Sequence, residues 1–305
     1  MGVATTRASA AAIPDNQSVL LKIHGCWKSN LEETVWAPRQ LEEPPLSTRI
    51  PECAEWVTTK LLNRDILIIG YFTDWDYLNR VLQTTLQAVH PSNVIVIDPS
   101  TTAELQGKAP ALFELGENST NRFLHVQVSG DYFLQELRKQ WSLSYLRKIL
   151  HSGYALLSGM QVEIDETLRE PADNDVDSLW LQRRDLEGCS PGSPCRKAAP
   201  NDEPVLGHDI LRLLSAGATV DGQYWKLGDQ KIRVINSSSQ ALHQIKKQYS
   251  GDTSPVNAPD ITIASGATDF NIPANVSRSG KQGTVVRPVS ENFMTFSKAA
   301  EALGI

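Results

Sequence analysis

The chain has 305 residues, 41% of them hydrophobic and 21% charged, and a formal net charge of −6. That composition fits a globular chain long enough for two domains of ordinary size. The acidic balance gives no global attraction to nucleic acid or an anionic membrane, and no apolar run approaches the roughly 18 residues that span a bilayer, so neither partner is expected. The N-terminus is small and polar and lacks the apolar core of a signal peptide, which makes the cytoplasm the expected location.

Residues 1–18 are expected to be disordered or loosely packed. Residues 19–23, VLLKI, form a short apolar run that predicts a strand and delivers His24-Gly25 at its end. Residues 53–62 suit a helix with Ala54, Val57, Leu61 and Leu62 facing inward. The next stretch, residues 66–69, is the unbroken branched run ILII, which predicts a strand buried on both faces of a parallel sheet. Gly70 stops it where a turn or a close ligand approach is easiest. Tyr77, Leu78, Val81, Leu82 and Leu86 are then spaced for one face of a helix. A strand that ends at glycine and opens into a helix is where open α/β sheets place a ligand.

Residues 93–98, NVIVID, and 123–128, FLHVQV, predict two further strands. After the second comes Gly130-Asp131, and from Tyr132 the spacing of Leu134, Leu137, Trp141, Tyr145 and Ile149 predicts an amphipathic helix to about residue 150. Strands alternating with helices make residues 19–157 an α/β domain, a partial parallel sheet with helices on both faces. Residues 158–204 are acidic and proline-rich and are expected to be a linker with a short helix over 179–186. Residues 205–305 predict a small α+β module. Its elements are a helix over 210–214, a hairpin over 223–235 turning at Gly228-Asp229, a helix over 240–249, strands at 260–264 and 284–286, and a last helix over 293–303.

The four cysteines, Cys26, Cys53, Cys189 and Cys195, contain no CxxC pair, so no structural zinc is expected. Free thiols are the cytoplasmic expectation, although the SPGSP loop between Cys189 and Cys195 would permit a disulfide in an oxidising compartment. His90, His125, His151, His208 and His243 are scattered without metal-ligand spacing.

Taken in order, LLKIHG at 20–25, IIGY at 68–71, VID at 96–98 and GDY at 130–132 resemble segments of the sirtuin family. The resemblance implies a Rossmann-type sheet that binds NAD, with His24 as catalytic base and Gly25 beside it. It puts Gly70 and Tyr71 in the turn that touches the cofactor phosphates and nicotinamide ribose. Asp98 would lie at the adenosine ribose, and Gly130, Asp131 and Tyr132 beside the adenine. The lack of zinc cysteines is similar to the zinc-free branch found in bacterial NAD-depleting defence proteins. The implied activity is that of a hydrolase of NAD (NADase) or an NAD-dependent deacylase, with NAD as cofactor and no zinc.

Two departures qualify what the resemblance implies. Phe72 stands where the family carries serine, which removes one polar contact to the cofactor. The family's glycine-rich loop and Asn-x-Asp strand lie upstream of its histidine, and only 23 residues precede His24. The expectation is therefore the C-terminal half of such a domain, a truncated pocket whose 66–69 strand has an open apolar edge. A partner chain or a second copy would complete that sheet. The alternative is a non-catalytic remnant that binds NAD, ADP-ribose or another nucleotide, or only supports protein contacts. In that case His24-Gly25 is a turn, Gly70 serves backbone geometry, Asp98 caps the following turn, and Trp75 and Tyr77 are packing aromatics.

Overall fold

The computed structural model describes residues 1–28, 31–70, 76–86, 88–117, 119–186, 202–236, 259–266 and 293–305. It is mixed α/β and divides into two compact units, residues 1–134 and 135–305. No helix among the described residues is long and apolar enough to cross a membrane.

The first unit begins with ordered elements where loose chain was expected. Strand β1 (Gly2–Ala4) leads through the capping residue Thr6 into helix α1 (Arg7–Ala11), and β1 pairs in parallel with β2 (Val19–Leu21). The segment lacks large side chains, but small ones let backbone pack closely: Ala4 and Ala10 are buried. Helix α2 (Leu46–Leu61) follows, longer at its start than the 53–62 pattern suggests.

The three branched runs become β3 (Asp65–Ile69), β4 (Asn93–Asp98) and β5 (Arg122–Gln127), a parallel sheet in that order. Helix α3 (Asp76–Leu86) connects the first pair, and α4 (Thr102–Lys108) with α5 (Pro110–Glu117) the second. Crossovers between parallel strands are right-handed as a rule, and two that step in the same direction carry their helices to the same face. The packing agrees: Val57 of α2, Ile66, Val94, Val96, Leu105 and Leu112 fall in one buried cluster.

The other face is covered unevenly. Leu67 is 45% and Leu124 43% exposed, and they flank Ile95 in one row across the three strands, whereas Ile97 on the same face is fully buried.

Helix α6 (Gly130–Gly159) spans 30 residues and carries the chain from the first unit into the second. It continues past the expected end near residue 150. Within the second unit, α7 (Val176–Leu186) and α8 (Asp202–Ser215) pack with α6 on a five-stranded sheet. The strands β6 (Thr219–Asp221), β7 (Tyr224–Leu227) and β8 (Gln230–Asn236) form an antiparallel meander. Strands β9 (Ile261–Ser265) and β10 (Phe293–Met294) then run parallel to β8, and α9 (Phe296–Leu303) closes the chain.

The expected hairpin is present and turns at Gly228, whose φ of +58° suits glycine. The expected helix at 240–249 and strand at 284–286 lie outside the described residues. The short helix expected at 179–186 is α7, which begins three residues earlier. Leu179 and Leu186, seven positions apart on one helix face, are buried in the same cluster as Leu206, Ile210 and Trp225.

The crossing of α6 and α8 has a strict steric condition. A Cβ added to Gly153 would lie 1.9 Å from the carbonyl carbon of Gly207, and one added to Gly207 would lie 1.8 Å from the oxygen of Ile149. Both obstacles are backbone, so a methyl group can be admitted only by separating the helices. Gly207→Ala is expected to lower the unfolding free energy by about 1–3 kcal/mol, the range for overpacking a closed core, measured by chemical denaturation.

Candidate functional site

Parallel register brings the carboxyl ends of β3, β4 and β5 to one edge, where Ile69, Ile97 and Val126 are neighbours. Gly70 follows Ile69 with a φ of +63°, and its N–H donates to the Ile97 oxygen at 3.2 Å. A Cβ built on Gly70 would meet no described residue within 4 Å, so among the described residues the glycine answers to backbone conformation. Tyr71, Phe72 and Trp75 lie outside the described residues.

Asp98 is 3% exposed at the end of β4, and its Oδ1 accepts the Ser100 N–H at 2.8 Å, an Asx-type turn that leads into α4. Its backbone oxygen accepts from Val128 N–H at 3.1 Å and lies 3.3 Å from Nε2 of His125. The other ring nitrogen of His125 is 2.9 Å from the Thr102 hydroxyl. His125 is thus the imidazole beside the strand ends, a position the sequence left unassigned. The signal was register: residue 125 stands level with Val96, two residues before Asp98.

Beyond β5, Gly130 opens α6 so close to the sheet that a Cβ there would fall 2.8 Å from Cγ2 of Ile69. Asp131 is held below the usual carboxylate range by hydrogen bonds from the Ser129 side chain and then from backbone N–H groups at the helix start. A carboxylate in the first turn also suits the helix dipole. The Tyr132 side chain is 56% exposed. Gly70, Asp98, Gly130, Asp131 and Tyr132 therefore share the carboxyl edge of one parallel sheet.

His24 and Gly25 belong to a different set of contacts. The His24 oxygen accepts from Val35 N–H at 2.9 Å, and Gly25, with a φ of +89°, is packed so that a Cβ would lie 2.5 Å from the Glu33 oxygen. Beside this turn sits Arg49, 3% exposed, donating from Nη1 to the Thr5 oxygen at 2.7 Å and from Nη2 to the Glu33 oxygen at 3.1 Å. One guanidinium therefore ties together the β1–α1 connection, the loop at 33–35 and α2.

Burial first, and the Arg49 charge second, push the His24 imidazole below its ordinary value, so it is neutral at pH 7. Its Nε2 is buried without a hydrogen-bond partner. A neutral imidazole is the form that accepts a proton, but the neighbours of this one are structural. Sequence reading missed Arg49, although its place in the inward stripe of Leu46, Ile50, Cys53 and Val57 was available as a signal.

Cys26 and Cys53 carry thiols, and burial raises that of Cys53. Among the described residues no group of three or more His, Cys, Asp or Glu is arranged to hold a metal ion. Neither a protein-family model, nor a curated protein, nor a solved structure matches the chain.

The His24 surroundings have a pH consequence. Its folded-state pKa is depressed, so the unfolded chain takes up the proton first as pH falls. The stability this group contributes is complete above about 6.5 and is lost as pH drops below that value. The melting temperature is expected to fall between about pH 7 and pH 5, less steeply in His24→Gln. In Arg49→Gln the nearby charge is gone, and the His24 resonance should titrate closer to its ordinary value by NMR. An unmoved midpoint would remove Arg49 from the environment of His24.

Proposed function

We propose that residues 1–134 form a nucleotide-binding unit that takes NAD or an ADP-ribose-type ligand across the carboxyl ends of β3, β4 and β5. The adenosine half would lie against Asp98 and residues 130–132, and the pyrophosphate over Gly70 and Tyr71. The observation that carries this reading is register. Three of the four segments that resemble sirtuin segments become adjacent ends of one parallel sheet, the place where open α/β sheets receive ligands. The φ of +63° at Gly70 supports it, since a glycine there lets backbone approach a phosphate closely.

In the catalytic form of this reading the unit is an NAD hydrolase or deacylase and His24 is its base. The contacts of His24 with Arg49 and the 33–35 loop favour the second form, a non-catalytic nucleotide-binding module. A base on its own supplies roughly 10²–10⁴-fold in any case, short of typical enzyme accelerations.

A partner chain or second copy belongs to the same proposal. Strand β3 is an edge of its sheet among the described strands, and the Leu67–Ile95–Leu124 row beside it is open. A strand added against β3 would turn that edge into the point of strand-order reversal at which doubly wound sheets bind nucleotides.

Calorimetry with NAD and with ADP-ribose tests the binding. Both are expected to bind, and Asp98→Asn to weaken ADP-ribose by roughly tenfold to a hundredfold, the worth of one hydrogen bond to a charged group. No heat with either nucleotide would overturn the proposal. Release of nicotinamide that disappears in His24→Ala would select the catalytic form; binding without release selects the module.

A further inference from the structure

The turn that leads from β4 into α4 is held from outside by the neighbouring strand. Residues 125 and 127 of β5 point to the same face, and both side chains reach that turn. Gln127 donates from Nε2 to the Pro99 oxygen at 3.4 Å. His125 reaches the turn twice, with Nε2 3.3 Å from the Asp98 oxygen and Nδ1 2.9 Å from the Thr102 hydroxyl. One ring therefore ties the last residue of β4 to the first residue of α4.

These contacts fix the tautomer. A carbonyl oxygen only accepts, so the bond to Asp98 requires the hydrogen on Nε2. In the neutral ring Nδ1 is then the acceptor, and the Thr102 hydroxyl donates to it. The Asp98 oxygen does not need the imidazole in order to be satisfied, because it already accepts the Val128 N–H at 3.1 Å. Within the turn, Asp98 Oδ1 accepts the Ser100 N–H, and Thr101 caps α4 in a reciprocal pair with Glu104. What His125 adds to these local bonds is a fixed orientation of the whole turn against β5. A loop ordered before its ligand arrives avoids the cost of ordering on binding.

We infer that His125 is a positioning residue of the nucleotide site. Through the bond from Nε2–H to the Asp98 oxygen it holds residues 98–102 in the shape that receives the adenosine half, without itself touching the ligand. The inference rests on the nucleotide reading above, and it adds a residue that lies outside all four segments resembling sirtuins.

The test separates the two contacts of the ring. In His125→Gln the side-chain amide reaches as far as Nε2 did and keeps the bond to Asp98. In His125→Asn the amide reaches only as far as Nδ1 and keeps at most the Thr102 contact. Calorimetry on the full chain with ADP-ribose is expected to show binding weakened roughly threefold to tenfold in His125→Ala and His125→Asn, the worth of one neutral hydrogen bond, and within about twofold of wild type in His125→Gln. Melting curves are recorded on the same samples, since a purely structural role would not divide the affinities of His125→Gln and His125→Asn. If His125→Ala does not fold, that pair decides. No heat with wild type would overturn the nucleotide reading and this inference with it. Wild-type binding that is unchanged in His125→Asn, or weakened equally in His125→Gln and His125→Asn, would overturn this inference alone.

Discussion

A strand–helix–strand unit of L-amino acids closes to the right, and the first unit takes that step twice in the same direction, from β3 to β4 and from β4 to β5. Both crossovers therefore deposit their helices on the face that holds Ile66, Val94 and Val96, and the row of Leu67, Ile95 and Leu124 is left open. Strands that continued from β3 in the opposite direction would bring crossover helices over that row. The same strands would make β3 the reversal point of a doubly wound sheet. One topological constraint thus accounts for the exposed row.

The buried cation Arg49 governs the other part of the first unit. Its two donated hydrogen bonds, to the Thr5 and Glu33 oxygens, hold together segments that share no strand or helix. Burial first, and its charge second, lower the His24 imidazole. A histidine fixed in this way is chemically able to accept a proton, yet its position is set by chain packing around Arg49 and not by the strand ends.

What could be read in advance followed the strength of the local pattern. The branched runs at 66–69, 93–98 and 123–128, and the hairpin around Gly228, are period-two or continuous apolar signals with clear stops, and each became the expected strand. The β1–α1 segment escaped because alanine, serine and threonine carry no hydrophobic period. Helix α7 was legible from Leu179 to Leu186, and its first turn at 176–178 was not, because an acidic, proline-rich stretch precedes it. Sheet coverage escaped because it depends on topology: the ILII run has the same composition whether one face or two are buried. The close approach of Gly153 to Gly207 and the Arg49 hub arise from contacts between distant segments, which no local pattern encodes.

The most direct test of the central claim is a map of amide shifts in a ¹⁵N-labelled chain titrated with ADP-ribose. The account predicts perturbations concentrated at Gly70, Ser100, Val128 and residues 130–132, the carboxyl ends of the parallel strands. Perturbations confined to Asn63, Ser92 and Asn121 at the opposite edge of the sheet, or to residues 135–305, would contradict it.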